Sequence, residues 1–371
     1  MKSPWSISLV KVAGTEVRAH ITFLILLAWI GSAYWKEEGP AVAVGGVLLI
    51  CGVFFCVLLH EFGHVFAARR YGISTPRITL LPIGGLASLS RIPRRPVEEL
   101  VVALAGPAVN VCIAALLLLL GRIAPGWDLP IVVPELVGKE GGGYLEQLLW
   151  VNLVLVVFNL VPAFPMDGGR VFRAFLAMFM SREAATRIAA ALGQTIAVFG
   201  GIYAFGAGQP ILALIAVFIF LAAGAEAQLV RSEFLLEGLQ ASDASMGEFH
   251  ALGPGDALGR AEHLLLDGSQ VDFPVVDDLG VCVGVLTRDR LLAGLVQEGE
   301  DGQVASFALG AVASVGEDMP AALAWQKLQE SQMPGVAVVD GSGRLRGWLT
   351  AENLRELLLV REARAHAASH R

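Results

Sequence analysis

Residues 40–70 read PAVAVGGVLLICGVFFCVLLHEFGHVFAARR. From Ala41 to Leu59 no side chain is charged, and the run ends on Arg69 and Arg70. A helix rises about 1.5 Å per residue, so a span over about 41–68 covers the roughly 30 Å hydrocarbon core of a bilayer. The chain therefore reads as a membrane protein. Near the Arg-flanked end the same span carries His60-Glu61-Phe62-Gly63-His64. Residues i and i+4 share one face of a helix, so both imidazoles can bind a single metal ion. Glu61 then lies beside the metal, where it can take a proton from water. Zinc suits such a pair, because it makes bound water acidic near neutral pH and polarises a carbonyl. Ionisable groups inside a span are costly to bury, and their default reading is functional.

The composition agrees. Of 371 residues, 55% are hydrophobic and 16% charged. With a mean hydropathy of +0.64, this excludes an ordinary soluble enzyme. Apolar runs fall in residues 21–228 and predict further spans over about 20–35, 97–121, 144–163, 186–205 and 209–229. The expected architecture is an α-helical polytopic membrane domain of six transmembrane helices over 1–230, followed by a soluble α/β domain over 231–371. Charge sets the orientation. With the N-terminus inside, the inner segments carry thirteen basic residues: Lys2, Lys11, Arg18, Arg69, Arg70, Arg77, Arg91, Arg94, Arg95, Arg170, Arg173, Arg182 and Arg187. The outer loops carry three, Lys36, Arg122 and Lys139. The positive-inside rule then puts both termini in the cytosol, for a multi-pass protein of the cell membrane. The first residues lack the apolar core and cleavage site of a signal peptide, so they are expected to stay on the chain. A net charge of −7 gives no basis for a nucleic-acid partner. Cys51, Cys56, Cys112 and Cys282 form no CxxC pair and read as small buried hydrophobes.

Two imidazoles leave zinc short of a third protein ligand. The membrane domain offers His20, at the start of the first span, and Asp167, in NLVPAFPMDGG over residues 159–169. Asp167 is the favoured ligand. Pro162 and Pro165 should break the fourth helix and leave the acid on irregular backbone aimed at the metal. Asn159, two turns earlier, can hold a substrate carbonyl or stabilise an oxyanion; an interhelical hydrogen bond is the plainer alternative. In the third span, Ala105-Gly106-Pro107-Ala108-Val109-Asn110 suggests a kink or close packing, with Asn110 mainly structural against the metal helix. Glu226 is expected at the cytosolic interface.

Residues 5–18 fit a short β-hairpin around Gly14-Thr15. The 71–96 loop is too apolar for a free loop. It reads as two extended pieces around a Gly84-Gly85 turn, a hairpin dipping into the membrane domain. In the soluble part, residues 272–291 (DFPVVDDLGVCVGVLTRDRL) align with 335–354 (GVAVVDGSGRLRGWLTAENL) at an offset of 63, with eight of twenty positions identical. Each copy reads as strand, turn, strand and helix after a preceding helix, and the two copies are expected to pack together.

Taken in order on successive spans, HEFGH, Gly106-Pro107-Ala-Val-Asn110 and NLVPAFPMDG make residues 5–229 resemble the site-2 protease family of intramembrane zinc metalloproteases. Residues 240–360 resemble a tandem cystathionine-β-synthase (CBS) domain pair. The whole resembles the sporulation-type branch with a cytosolic CBS pair. The resemblance implies one zinc ion per chain on His60, His64 and Asp167, with Glu61 as catalytic base and Asn159 in substrate or oxyanion binding. It also implies that the Gly84-Gly85 hairpin lies near the substrate. Paired CBS units that take adenine nucleotides commonly have an acid three residues after the Leu-Thr threonine. Here Arg290 and Asn353 stand at those positions. Thr287, Asp289 and Thr350 are the candidate nucleotide contacts, set against a purely protein–protein role for the pair.

The expected activity is peptide-bond hydrolysis within or near transmembrane segments of membrane-bound substrates, which is regulated intramembrane proteolysis under control of the CBS pair. Glu61 takes a proton from water and passes it to the leaving amine. The hairpin edge captures an unwound substrate by β-augmentation. The expected partners are a membrane-protein substrate, the lipid bilayer and a second copy through the CBS pair. The rivals are a CBS-gated divalent metal transporter and a catalytically silent member of the family.

Overall fold

The computed structural model describes residues 5–37, 39–82, 84–88, 93, 95–123, 143–268, 270–310 and 312–369. Lys2, Arg91, Arg94 and Lys139 of the charge count lie outside them. The chain divides into two units, Met1–Gln228 and Leu229–Arg371.

In the first unit, β1 (Ser6–Val12) and β2 (Thr15–His20) pair antiparallel. Helices α1 (Ile21–Glu37) and α2 (Pro40–Arg70) follow. Strand β3 (Arg77–Leu81) then pairs parallel with β2 and antiparallel with β4 (Gly84–Ser88). The sheet order is β1-β2-β3-β4, so β4 is an edge strand. Alternate residues of β2 and β3 point into the protein, as a period of two requires. Val17 and Ile78 pack on Phe62 and Val65 of α2, while Ala19 and Leu80 pack with Phe23 and Phe54. The sheet is thereby fastened to α2 beside the His-Glu-x-x-His turn. One expectation is corrected: Leu81 pairs with Gly84, so Gly84 and Gly85 open β4 rather than forming the turn.

The remaining helices of this unit are α3 (Pro96–Ile123), α4 (Tyr144–Asn159), α5 (Asp167–Leu176), α6 (Arg182–Gly206) and α7 (Pro210–Leu235). Among the described residues, α2, α3, α6 and α7 are long and apolar enough to cross a membrane, and α1 and α4 are shorter apolar helices. Helix α4 stops at Asn159, short of the expected end at 163, because residues 160–166 turn back through short-range bonds such as Met166 N–H to Ala163 O at 3.0 Å. Asp167 is not on irregular backbone: it is the first residue of α5, after an extended Met166. Gly168 and Gly169, in the first turn of α5, serve packing. A Cβ on Gly169 would come within 2.6 Å of Phe164 N, so α5 lies directly on the 160–166 turn. Helices α2 and α3 also meet closely, since a Cβ on Gly63 would come within 2.6 Å of Ala105 O.

Glu226 of α7 accepts from the Arg173 guanidinium of α5 at 2.6 Å, and the same guanidinium pairs with Glu99 of α3. Three helices are tied through one buried arginine.

The second unit runs α8 (Ala241–Ala244), α9 (Leu258–Asp267), β5 (Phe273–Val276), β6 (Cys282–Leu286), α10 (Arg288–Glu298), α11 (Val304–Phe307), β7 (Leu309–Gly310), β8 (Ser314–Gly316), α12 (Ala321–Ser331), β9 (Gly335–Val339), β10 (Leu345–Thr350) and α13 (Ala351–Ser369). Its strands form two sheets, β5-β6-β7 and β10-β9-β8. The repeat copies meet in a shared core of Val285, Ala337 and Trp348. The repeated glycines Gly280 and Gly343 take φ of 79° and 84°, a turn conformation that costs other residues energy.

Candidate metal centre

His60 and His64 lie one turn apart on α2, and both are buried. Each is turned by a bond from its Nδ1. His64 Nδ1–H donates to Val102 O of α3 at 2.8 Å, and a carbonyl can only accept. His60 Nδ1–H donates to Asn110 Oδ1 at 2.5 Å. Both Nε2 lone pairs are therefore left to face one point, and Asp167 completes the group. Its Oδ2 lies 3.1 Å from each Nε2, and the two Nε2 atoms are 3.1 Å apart. Three electron-pair donors at this spacing repel one another unless a cation sits among them. Zinc bonds of about 2.0–2.2 Å in tetrahedral geometry set ligands roughly 3.3 Å apart, so the donor set fits zinc. Gly106 supplies the space. A Cβ there would come within 2.6 Å of His60 Nε2 and nearer still to His64 Nε2.

Glu61 sits between the two histidines in sequence, and β4 covers it: a Cβ on Gly85 would come within 2.6 Å of Glu61 Cγ. The edge strand and the acid are thus neighbours. Asn159 stands elsewhere in the network. It is the half-buried last residue of α4, and the histidine bonds go to Asn110 and Val102 rather than to it. His20 bonds Thr22 and is not one of the three converging donors.

In the second unit, a cavity of about 320 Å³ is lined by Gln270, Asp272, Trp348, Thr350, Asn353 and Glu356 among others. Thr350 lines it, whereas Thr287 caps α10 by accepting from Arg290 N and Asp289 is exposed beside Arg288. Asp272, which no motif singles out, accepts from Arg288 N–H at 3.2 Å. Asn152 escapes motif reasoning as well. It is fully buried on α4 and bonded to Asn110; its signal is an amide within an apolar span.

Residues 48–143 and 140–203 match peptidase family M50. A zinc metalloprotease of Methanocaldococcus jannaschii is 32% identical over 283 residues, covering 76% of this chain and 78% of that one. The chain belongs to peptidase family M50. Residues 306–360 match the CBS domain. Rip3 of Mycobacterium tuberculosis is 29% identical over 311 residues, covering 77% of this chain and 75% of its own. The solved site-2 protease from Methanocaldococcus jannaschii is 33% identical, covering 60% of this chain and 95% of that one, with a TM-score of 0.46. This M50 member is a zinc metalloprotease of the membrane joined to a CBS domain, and the transporter reading falls away.

Proposed function

We propose that His60, His64 and Asp167 hold one zinc ion and that Glu61 is the general base for cleavage of a membrane-protein substrate near the cytosolic face. The observation that carries this is the convergence of two Nε2 atoms and Asp167 Oδ2 at 3.1 Å, beside an acid covered by an edge strand. Zinc, when bound, supplies Lewis acidity toward water and toward the scissile carbonyl. Glu61 accepts the proton of the attacking water and returns it to the leaving amine. The open edge of β4 pairs with an unwound substrate segment, which sets its carbonyls over Glu61. The Asn159 amide donates to a substrate carbonyl or the developing oxyanion.

All six apolar helices cross the bilayer in this proposal, with both termini cytosolic. The charge count of thirteen basic residues against three supports that orientation. Residues 1–230 form the protease domain and 231–371 the regulatory pair. The 320 Å³ cavity is the place for a small regulatory ligand. Asp272, Glu352 and Glu356 on its wall disfavour a phosphate-rich nucleotide. A homodimer through the CBS pair completes the proposal.

The test is cleavage of a single-span substrate by the full-length protein in detergent, wild type against Glu61→Gln, with bound zinc measured in both. Cleavage lost while zinc is retained is the expected result. Equal cleavage removes Glu61 from the mechanism.

A further inference from the structure

We propose that Asn152, which bonds none of the three donors, dictates which nitrogen of His60 carries the proton and so leaves the lone pair of Nε2 free for the metal. This rests on the reading of His60 as a zinc ligand. Three bonds run in series from the interior of α4 to the site. Asn152 Nδ2 donates to Leu148 O at 2.8 Å. Asn110 Nδ2 donates to Asn152 Oδ1 at 2.8 Å. His60 Nδ1–H donates to Asn110 Oδ1 at 2.5 Å.

The direction of this series is forced from its far end. A backbone carbonyl has no proton to give, so the Asn152 atom on Leu148 O must be the NH₂ group. The other end of that amide is then an oxygen, and it demands an N–H from Asn110. That leaves the Asn110 oxygen facing His60, and an oxygen there demands a proton on Nδ1. The proton is thus withheld from Nε2, whose lone pair is free for the metal. Asn110 alone carries no such information, since an amide can present either end to an imidazole. Reversed, it would offer NH₂ to Nδ1, draw the proton onto Nε2 and block the site.

Asn110 and Asn152 are both fully buried, so water cannot substitute for either partner. The Cys56 thiol of α2 lies against the same Asn152 amide. His64 needs no relay, because its Nδ1 meets the Val102 carbonyl directly. The plainer role for two bonded asparagines on neighbouring helices is interhelical adhesion, and the two roles separate experimentally.

The measurement is zinc affinity of the full-length protein in detergent, by competition with a chromophoric chelator. Asn152→Leu removes the instruction to Asn110 and is expected to weaken zinc binding about 10–100-fold, the usual cost of losing a ligand's supporting bond. Asn152→Asp is expected to bind as wild type. A buried, neutral carboxyl still donates to Leu148 O and accepts from Asn110. The double variant N110D/N152L is expected to recover to within about threefold of wild type, because either oxygen of the carboxylate introduced on α3 accepts from Nδ1–H and a flip changes nothing. Adhesion predicts no such recovery. Wild-type affinity in N152L, a tenfold loss in N152D, or no recovery in the double variant would each overturn the proposal. Absence of zinc from the wild-type protein would instead overturn the metal reading on which it rests.

Discussion

Gly85 of β4 lies against Glu61 of α2, so closely that a Cβ on the glycine would stand 2.6 Å from Glu61 Cγ. The proposed general base and a strand edge are thereby held in one place, although they belong to different elements of the chain. Gly85→Ala must displace one of the two. Displacing a reacting group by about 1 Å can cost roughly 100-fold in rate. The expected result is a fall of at least about tenfold in kcat/KM with bound zinc unchanged. Zinc content and cleavage measured on one preparation check it; a parallel loss of zinc would place the damage at the metal instead.

Gly106 has a different part. Its missing side chain leaves room at both Nε2 atoms, so Gly106→Ala puts a methyl group where the donors converge. Zinc affinity is expected to fall by about 100-fold or more, beyond the loss usual for a supporting residue. Chelator competition checks it, and thermal unfolding without zinc should change much less, since the methyl is a small addition.

These two glycines also mark what could be read from the chain. HEFGH was legible because a helix repeats its face every three to four residues, so one turn of sequence contains the metal-binding geometry. Asp167 was legible as the third member of the converging group, but its place at the start of α5 was not, because Pro162 and Pro165 read as helix breakers and nothing local shows that a new helix begins directly after the 160–166 turn. Asn152 was missed for the same kind of reason. A single amide in an apolar run says that a partner exists, and only the fold reveals that the partner is Asn110. Glu226 was placed by its position near the end of the last span, and nothing local points to Arg173 as its partner.

Arg173 is 1% exposed and holds Glu99 and Glu226 from two other helices, with its guanidinium 5.0 Å above the Phe164 ring. Removing it strands two carboxylates. Breaking a buried ion pair from one side costs about 3–5 kcal/mol, so Arg173→Met is expected to lower the thermal midpoint sharply. The double variant E99Q/R173M should be less damaged than R173M alone, because one stranded charge has been neutralised. Glu226→Gln should cost less than Glu99→Gln, since the Glu226 side chain is 20% exposed and that of Glu99 only 5%. Unfolding of the four variants in one detergent checks the order. Asp167 lies on the same short helix as Arg173, so zinc affinity should follow the same ranking.

In the second unit, burial pushes the Asp272 carboxyl above the usual aspartate range, opposed by the N–H of Arg288 and reinforced by the nearby Asp289. A carboxyl whose folded pKa exceeds its unfolded value makes the folded state the better proton binder. Its ionisation therefore costs stability, progressively as pH rises from the unfolded value through the folded one, and in full at neutral pH. Asp272→Asn keeps an oxygen for Arg288 N–H and removes the charge. It should slow hydrogen exchange of β5 and β6 in the full-length protein at about pH 7. At a pH below both values, near 3, the two proteins should exchange alike, because Asp272 is then protonated in either state. Equal exchange at neutral pH would mean that the carboxylate is stabilised as an anion, and a positively charged group in the cavity would be the first place to look for the cause.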